Sequence, residues 1–85
     1  MKIKNGYTLI ENNEEFFVKS PTGNIIPSIH LSKISSFLWK EATKSNISSS
    51  DMLNLLLKEF EISTVLALGE IDTFIKILKE NEILE

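Results

Sequence analysis

The chain has 85 residues, with nine Lys, no Arg, twelve acidic residues, one His and no Cys, for a formal charge of −3. A length this short leaves room for a single domain, residues 1–85, and domains of this size hide only about 60% of the surface their unfolded chains expose. Without cysteine there is neither a disulfide framework nor a thiolate metal site, and an acidic balance with dispersed lysines offers nucleic acid no counterion-releasing surface. No apolar run follows the charged N-terminus, and Val65–Leu68 is far too short to cross a bilayer, so a cytoplasmic protein without membrane contact is expected.

Residues 7–11 are β-rich, Asn12-Asn13 interrupts them, and residues 15–19 resume with aromatic and β-branched side chains, which predicts a hairpin. Ser20-Pro21-Thr22-Gly23 places Pro second and Gly fourth in a type I turn leading into a third strand, 24–31. In that strand Ile25, Pro27, Ile29 and Leu31 alternate with Ile26, Ser28 and His30, so period two assigns the first set to the buried face. Pro27 has no N–H to give a ladder, which places the strand at a sheet edge or bulge.

From Ser32 the period becomes helical. Ser32 is positioned to cap a helix over 33–43 whose stripe is Ile34, Phe37, Leu38 and Ala42. Ser48 and Asp51 form an acidic capping box ahead of a helix over 49–60, with Leu53, Leu56, Leu57 and Phe60 on one face. Ser63 caps a third helix, 64–81, with Leu68, Ile71, Ile75 and Leu78 inward; Asn81 closes it in a left-handed conformation and Ile83-Leu84 packs back. The fold class is therefore α+β and winged-helix-like: a three-stranded antiparallel sheet followed by three helices, the last two in a helix-turn-helix arrangement.

Catalytic chemistry has little to work with. His30 is the sole imidazole, the serines have no second His or basic partner, and Glu70 and Asp72 point to opposite sides of their helix, so neither an acyl-transfer constellation nor a paired acid and base can be assembled. One His without Cys does not make a metal site, and no cofactor is implied. Helix three, however, carries a second apolar flank. Steps of about 100° from Ile71 set Phe74, Ile77 and Leu66 beside the buried stripe, with Glu70 and Asn81 among them. That flank either packs on the sheet and helix one or forms, with the third strand, a groove for an extended peptide.

Several features now align along the chain. Leu31 ends the third strand, Leu38-Trp39 lies in helix one, and Ser48 precedes a Leu-rich helix containing Leu53 and Leu57. Phe60-Glu61-Ile62 closes that helix, Glu70-Ile71, Phe74-Ile75 and Leu78 follow in helix three, and Ile83-Leu84 ends the series. In this order and spacing, from Tyr7 to Leu84, the chain resembles the PqqD-like domains, the precursor-peptide recognition elements of ribosomal peptide modification systems. It departs from them at Leu31-Ser32, where the family often has Leu-Asn, and at Asn81-Glu82, where a Gly is usual.

The resemblance implies a non-catalytic domain that binds the leader segment of a precursor peptide. It would present the rest of that peptide to a modifying enzyme such as a radical-SAM maturase, a cyclodehydratase or a leader peptidase. By position it implies backbone pairing along Asn24, Ile25, Ile26, Ser28 and Ile29, and a side-chain wall of Glu70, Phe74 and Ile77. Trp39 is either a lid on the core or part of an enzyme interface. Two other readings stand beside this one. A DNA-binding regulator would read the groove with the outer face of helix three, where Lys76 and Lys79 are mixed with Asp72 and Glu80. A dimerisation or scaffold domain would close the free edge on a second copy.

Overall fold

Hairpin chemistry in the first third of the chain and three serine caps in the rest set the order of the elements. The computed structural model describes residues Met1–Glu85 and contains β1 (Thr8–Asn12), β2 (Glu15–Lys19), β3 (Ile25–Leu31), α1 (Lys33–Lys44), α2 (Ser49–Glu59) and α3 (Thr64–Glu80). The sheet is an antiparallel meander in the order β1-β2-β3, and the three helices follow it, an α+β fold. No helix is long and apolar enough to cross a membrane.

The loop from β1 to β2 consists of Asn13 and Glu14, at φ 51° and 65°. Two consecutive left-handed residues are the type I′ pattern, whose twist matches that of the strands it joins. In the next turn Gly23 N–H donates to the Ser20 carbonyl at 2.9 Å and Ser20 N–H to the Asn24 carbonyl at 2.8 Å. Gly23, at φ 90°, occupies the position that strains any other residue.

β3 departs from simple alternation. Phe17 pairs with His30 but Lys19 with Ile25, so two steps along β2 answer five along β3, and Pro27 falls inside this irregular stretch. The irregularity shifts the phase: Ile29 and Leu31 are buried as expected, but Ile25 is 50% exposed, Pro27 is exposed, and Ile26 turns to the core instead.

All three caps form. Ser32 accepts from Ser35 N–H at 3.0 Å, Ser48 from Asp51 N–H at 3.1 Å, and Ser63 from Leu66 N–H at 3.2 Å. The Asp51 carboxylate returns the bond by accepting Ser48 N–H at 2.9 Å, which completes the capping box and holds its pKa below the usual aspartate value.

The buried faces sit slightly around each helix from the expected stripes. α1 buries Ser35, Leu38, Trp39 and Ala42, α2 buries Met52 and Leu56, and α3 buries Ala67, Ile71, Phe74 and Leu78. Leu57 and Leu68, expected inside, are 41% and 50% exposed. Small residues such as Ser35, Ala42 and Ala67 let helix backbones approach, and the rotation that brings them inward carries larger neighbours outward. Trp39 is a core side chain, 2% exposed.

α3 ends in a Schellman motif. Ile83 N–H donates to the Leu78 carbonyl at 2.9 Å and Glu82 N–H to that of Lys79 at 3.1 Å. The left-handed residue is Glu82, at φ 55°, and not Asn81, which is the C-cap at φ −100°. The Asn81 amide instead donates to the Ile77 carbonyl at 2.9 Å.

Beyond that end Leu84 bridges Ile3, a pairing too short to leave a periodic trace in sequence, and Lys4 N–H donates to the Ile83 carbonyl at 2.8 Å. Ile3 and Ile83 join a single apolar cluster shared by the sheet and all three helices.

Candidate functional site

β3 is an edge strand, and none of the backbone hydrogen bonds made outside the regular elements involves residues 25–31. The direction of its free groups follows from the ladder. Because Asn24 turns its carbonyl to Ser20 across the hairpin, its neighbour Ile25 directs N–H and C=O away from β2. The two-residue β1–β2 loop closes on the Asn12–Glu15 pair, so Glu15 and, two residues on, Phe17 turn their backbone groups toward β1. His30, opposite Phe17, consequently also directs its backbone groups outward.

Of the residues expected to pair with a guest, Ile25 thus offers a free backbone, whereas the Asn24 carbonyl is already used within the hairpin and Ile29 alternates back toward β2. The Ile26 side chain is half-buried against the core. Ser28, exposed in the irregular stretch, aims its hydroxyl at α3.

Two side-chain hydrogen bonds align α3 with this edge. Ser28 Oγ donates to Asn81 Oδ1 at 3.3 Å, and Ser32 Oγ approaches Glu70 Oε2 at 3.4 Å. They place Ile77 and Asn81 alongside β3 and Glu70 beside Ser32, just past the strand's end, with Leu66 one turn further along α3; Ile77 and Glu70 are half-buried and Leu66 is 62% exposed. Both contacts are longer than a usual O–H···O hydrogen bond, and neither uses a backbone group of β3.

Phe74 does not belong to this wall. Its side chain is 0% exposed, at the centre of the core, because the α3 face is rotated toward it. Leu66 takes the exposed apolar place on the same flank. The helical wheel also puts Leu66 there, but nothing in sequence separates it from Phe74.

His30 lies on the outer sheet face, its ring centroid 5.3 Å from that of Phe17 and its Nε2 3.9 Å from Glu15 Oε1. It is a cross-strand neighbour rather than the centre of a cluster. Two surface depressions, of about 380 and 260 Å³, lie between the β1–β2 hairpin and α1, lined by Glu11, Phe16 and Lys33 and, in the smaller, by Phe37 and Phe60. Neither touches β3 or α3, and a guest strand requires an open trough rather than a cavity.

With this geometry in hand, comparison with known proteins is informative at the level of fold. No protein-family model and no curated protein matches the chain. The solved structure of TbiB1 in complex with the TbiA(beta) leader peptide is similar to it, with a TM-score of 0.73 and 17% sequence identity over 100% of this chain and 95% of that one. At that identity the similarity shows a common fold.

Proposed function

We propose that this chain is a PqqD-like precursor-peptide recognition domain that does no chemistry itself. It takes the leader segment of a ribosomally made peptide as an added strand beside β3, against the flank of α3, and holds it for a modifying enzyme. The observation that carries this reading is the outward backbone of His30, with that of Ile25 further along the same edge, beside a partly apolar helix flank that its own sheet does not cover. Backbone bonds to the edge give a guest affinity, and the helix flank selects among side chains. The likeness to a chain solved with a leader peptide supports the same reading.

Hydrogen exchange measured with and without a precursor leader tests it. The amides of Ile25 and His30, free in the unliganded protein, gain protection on binding, while those of β1 do not change. Protection confined to any other surface refutes strand addition at β3.

A further inference from the structure

The wall of the groove carries a charge as well as apolar surface. Glu70 is half-buried and makes no salt bridge. Its only side-chain partner is the Ser32 hydroxyl at 3.4 Å, which also lies 3.2 Å from Ser35 Oγ. A neutral hydroxyl with a second acceptor satisfies a carboxylate weakly, so a cation arriving in the trough displaces little. On either side along the same flank stand Leu66, one turn earlier, and Ile77, two turns later.

The two contacts between β3 and α3 set the spacing. From Ser28 to Ser32 the strand advances about 13 Å, while from Asn81 back to Glu70 the helix covers about 16 Å. The two elements therefore run antiparallel and nearly in step, so a guest that pairs with β3 beside Ile77 and continues extended past Ser32 meets Glu70 and then Leu66 at the rise of a strand. On that scale Leu66 lies roughly 1.5 guest residues from Glu70 and Ile77 roughly 2.5 on the other side. Side chains on one face of a strand recur every second residue, so both intervals correspond to a spacing of two.

Resting on the strand-addition reading, we infer that the segment this edge selects is extended and carries an apolar residue, a Lys or Arg two residues on, and a second apolar residue two further. The basic residue pairs with Glu70, and the apolar pair packs on Leu66 and Ile77. The pattern reads the same in both directions, so it holds for either guest polarity. The protein's net charge of −3 favours the same partner.

The test uses two labelled heptapeptides, Thr-Val-Thr-Lys-Thr-Val-Thr and its counterpart with Glu at the centre, titrated into the full chain by fluorescence anisotropy. The Lys peptide binds about tenfold tighter at low salt, and the preference shrinks as salt is raised. Glu70→Lys reverses the preference without moving the melting temperature by more than a few degrees, and Leu66→Ser weakens both peptides. Equal binding of the two peptides, a preference that survives Glu70→Lys, or no binding of either overturns the inference. A precursor leader without the pattern that still protects Ile25 and His30 from exchange removes this inference alone. A leader that protects neither removes the strand-addition reading with it.

Discussion

Ile77 and Ile75 form a matched pair for testing which flank of α3 meets the guest. Both are half-buried and pack on the core, but they lie on opposite sides of Ile71, and only Ile77 shares its side with Glu70 and Asn81. Shortening Ile to Ala removes three carbons, worth about 2.4 kcal/mol if all are withdrawn from water. Since about two-thirds or more of that burial already exists in the free protein, each variant loses about 1.5–2 kcal/mol of stability, on the order of ten degrees in melting temperature for a domain of this size. The remainder, about 0.8 kcal/mol at most, is available only to a guest, so Ile77→Ala weakens leader binding about three- to fourfold while Ile75→Ala leaves it unchanged. Calorimetric titration of both variants with the same leader, well below their melting temperatures, provides the measurement. Equal affinity for the wild type and Ile77→Ala, or an equal loss in Ile75→Ala, refutes the placement of the groove.

Ser28→Trp puts a large side chain at an exposed position that faces Asn81, and is expected to fill the trough and nearly abolish leader binding while circular dichroism and melting stay close to wild type. Phe74→Leu leaves a gap in the core and costs about 1–3 kcal/mol by urea titration, with the folded fraction binding leader as before; a selective loss of affinity would return Phe74 to the wall. Glu82→Gly relieves a left-handed residue, a gain of about 1–2 kcal/mol, partly offset by the greater freedom of Gly in the unfolded chain, so stability rises by about 0.5–1 kcal/mol in thermal melts. The Asp51 pKa is depressed by the Ser48 backbone and hydroxyl bonds, so its contribution is present above the usual aspartate value and is lost as pH falls through the lower folded value. Urea titrations across that window will show less pH dependence in Asp51→Asn than in the wild type.

The elements were legible because their ends are written in local chemistry. Ser32, Ser48 and Ser63 cap the helices they precede, and Pro21 with Gly23 makes the turn their positions imply. Faces were less legible, since the wheel weighs side chains by apolar size whereas packing also favours close approach. Ser35 and Ala67 turn inward while Leu68 is left half in water. Phe74 lies in the core rather than on the flank for the same reason, a rotation of the helix too small for sequence to resolve. The phase shift in β3 could be located at Pro27 but not counted, because how many residues a bulge absorbs depends on the partner strand. The outward backbone of His30 follows only once that register is known.

The same irregularity bears on the proposed strand addition, because it disfavours a second copy as the added strand. Pairing two β3 edges would require a continuous ladder on both sides, yet each is interrupted between Ile25 and His30, and each contains a Pro that has no N–H to donate. A bulge and a proline on an exposed edge are the devices by which sheets resist pairing with themselves. An unfolded leader has no register of its own to preserve, so it can bond at Ile25, bow past Pro27 and bond again at His30. It pays the ordering entropy of only a few residues while gaining the flank of Leu66, Glu70 and Ile77. A copy of the domain, whose own β3 is fixed to β2, cannot bow in this way. Interruption of the edge is thus a discriminating feature, leaving enough free backbone for a flexible segment and too little for a rigid strand.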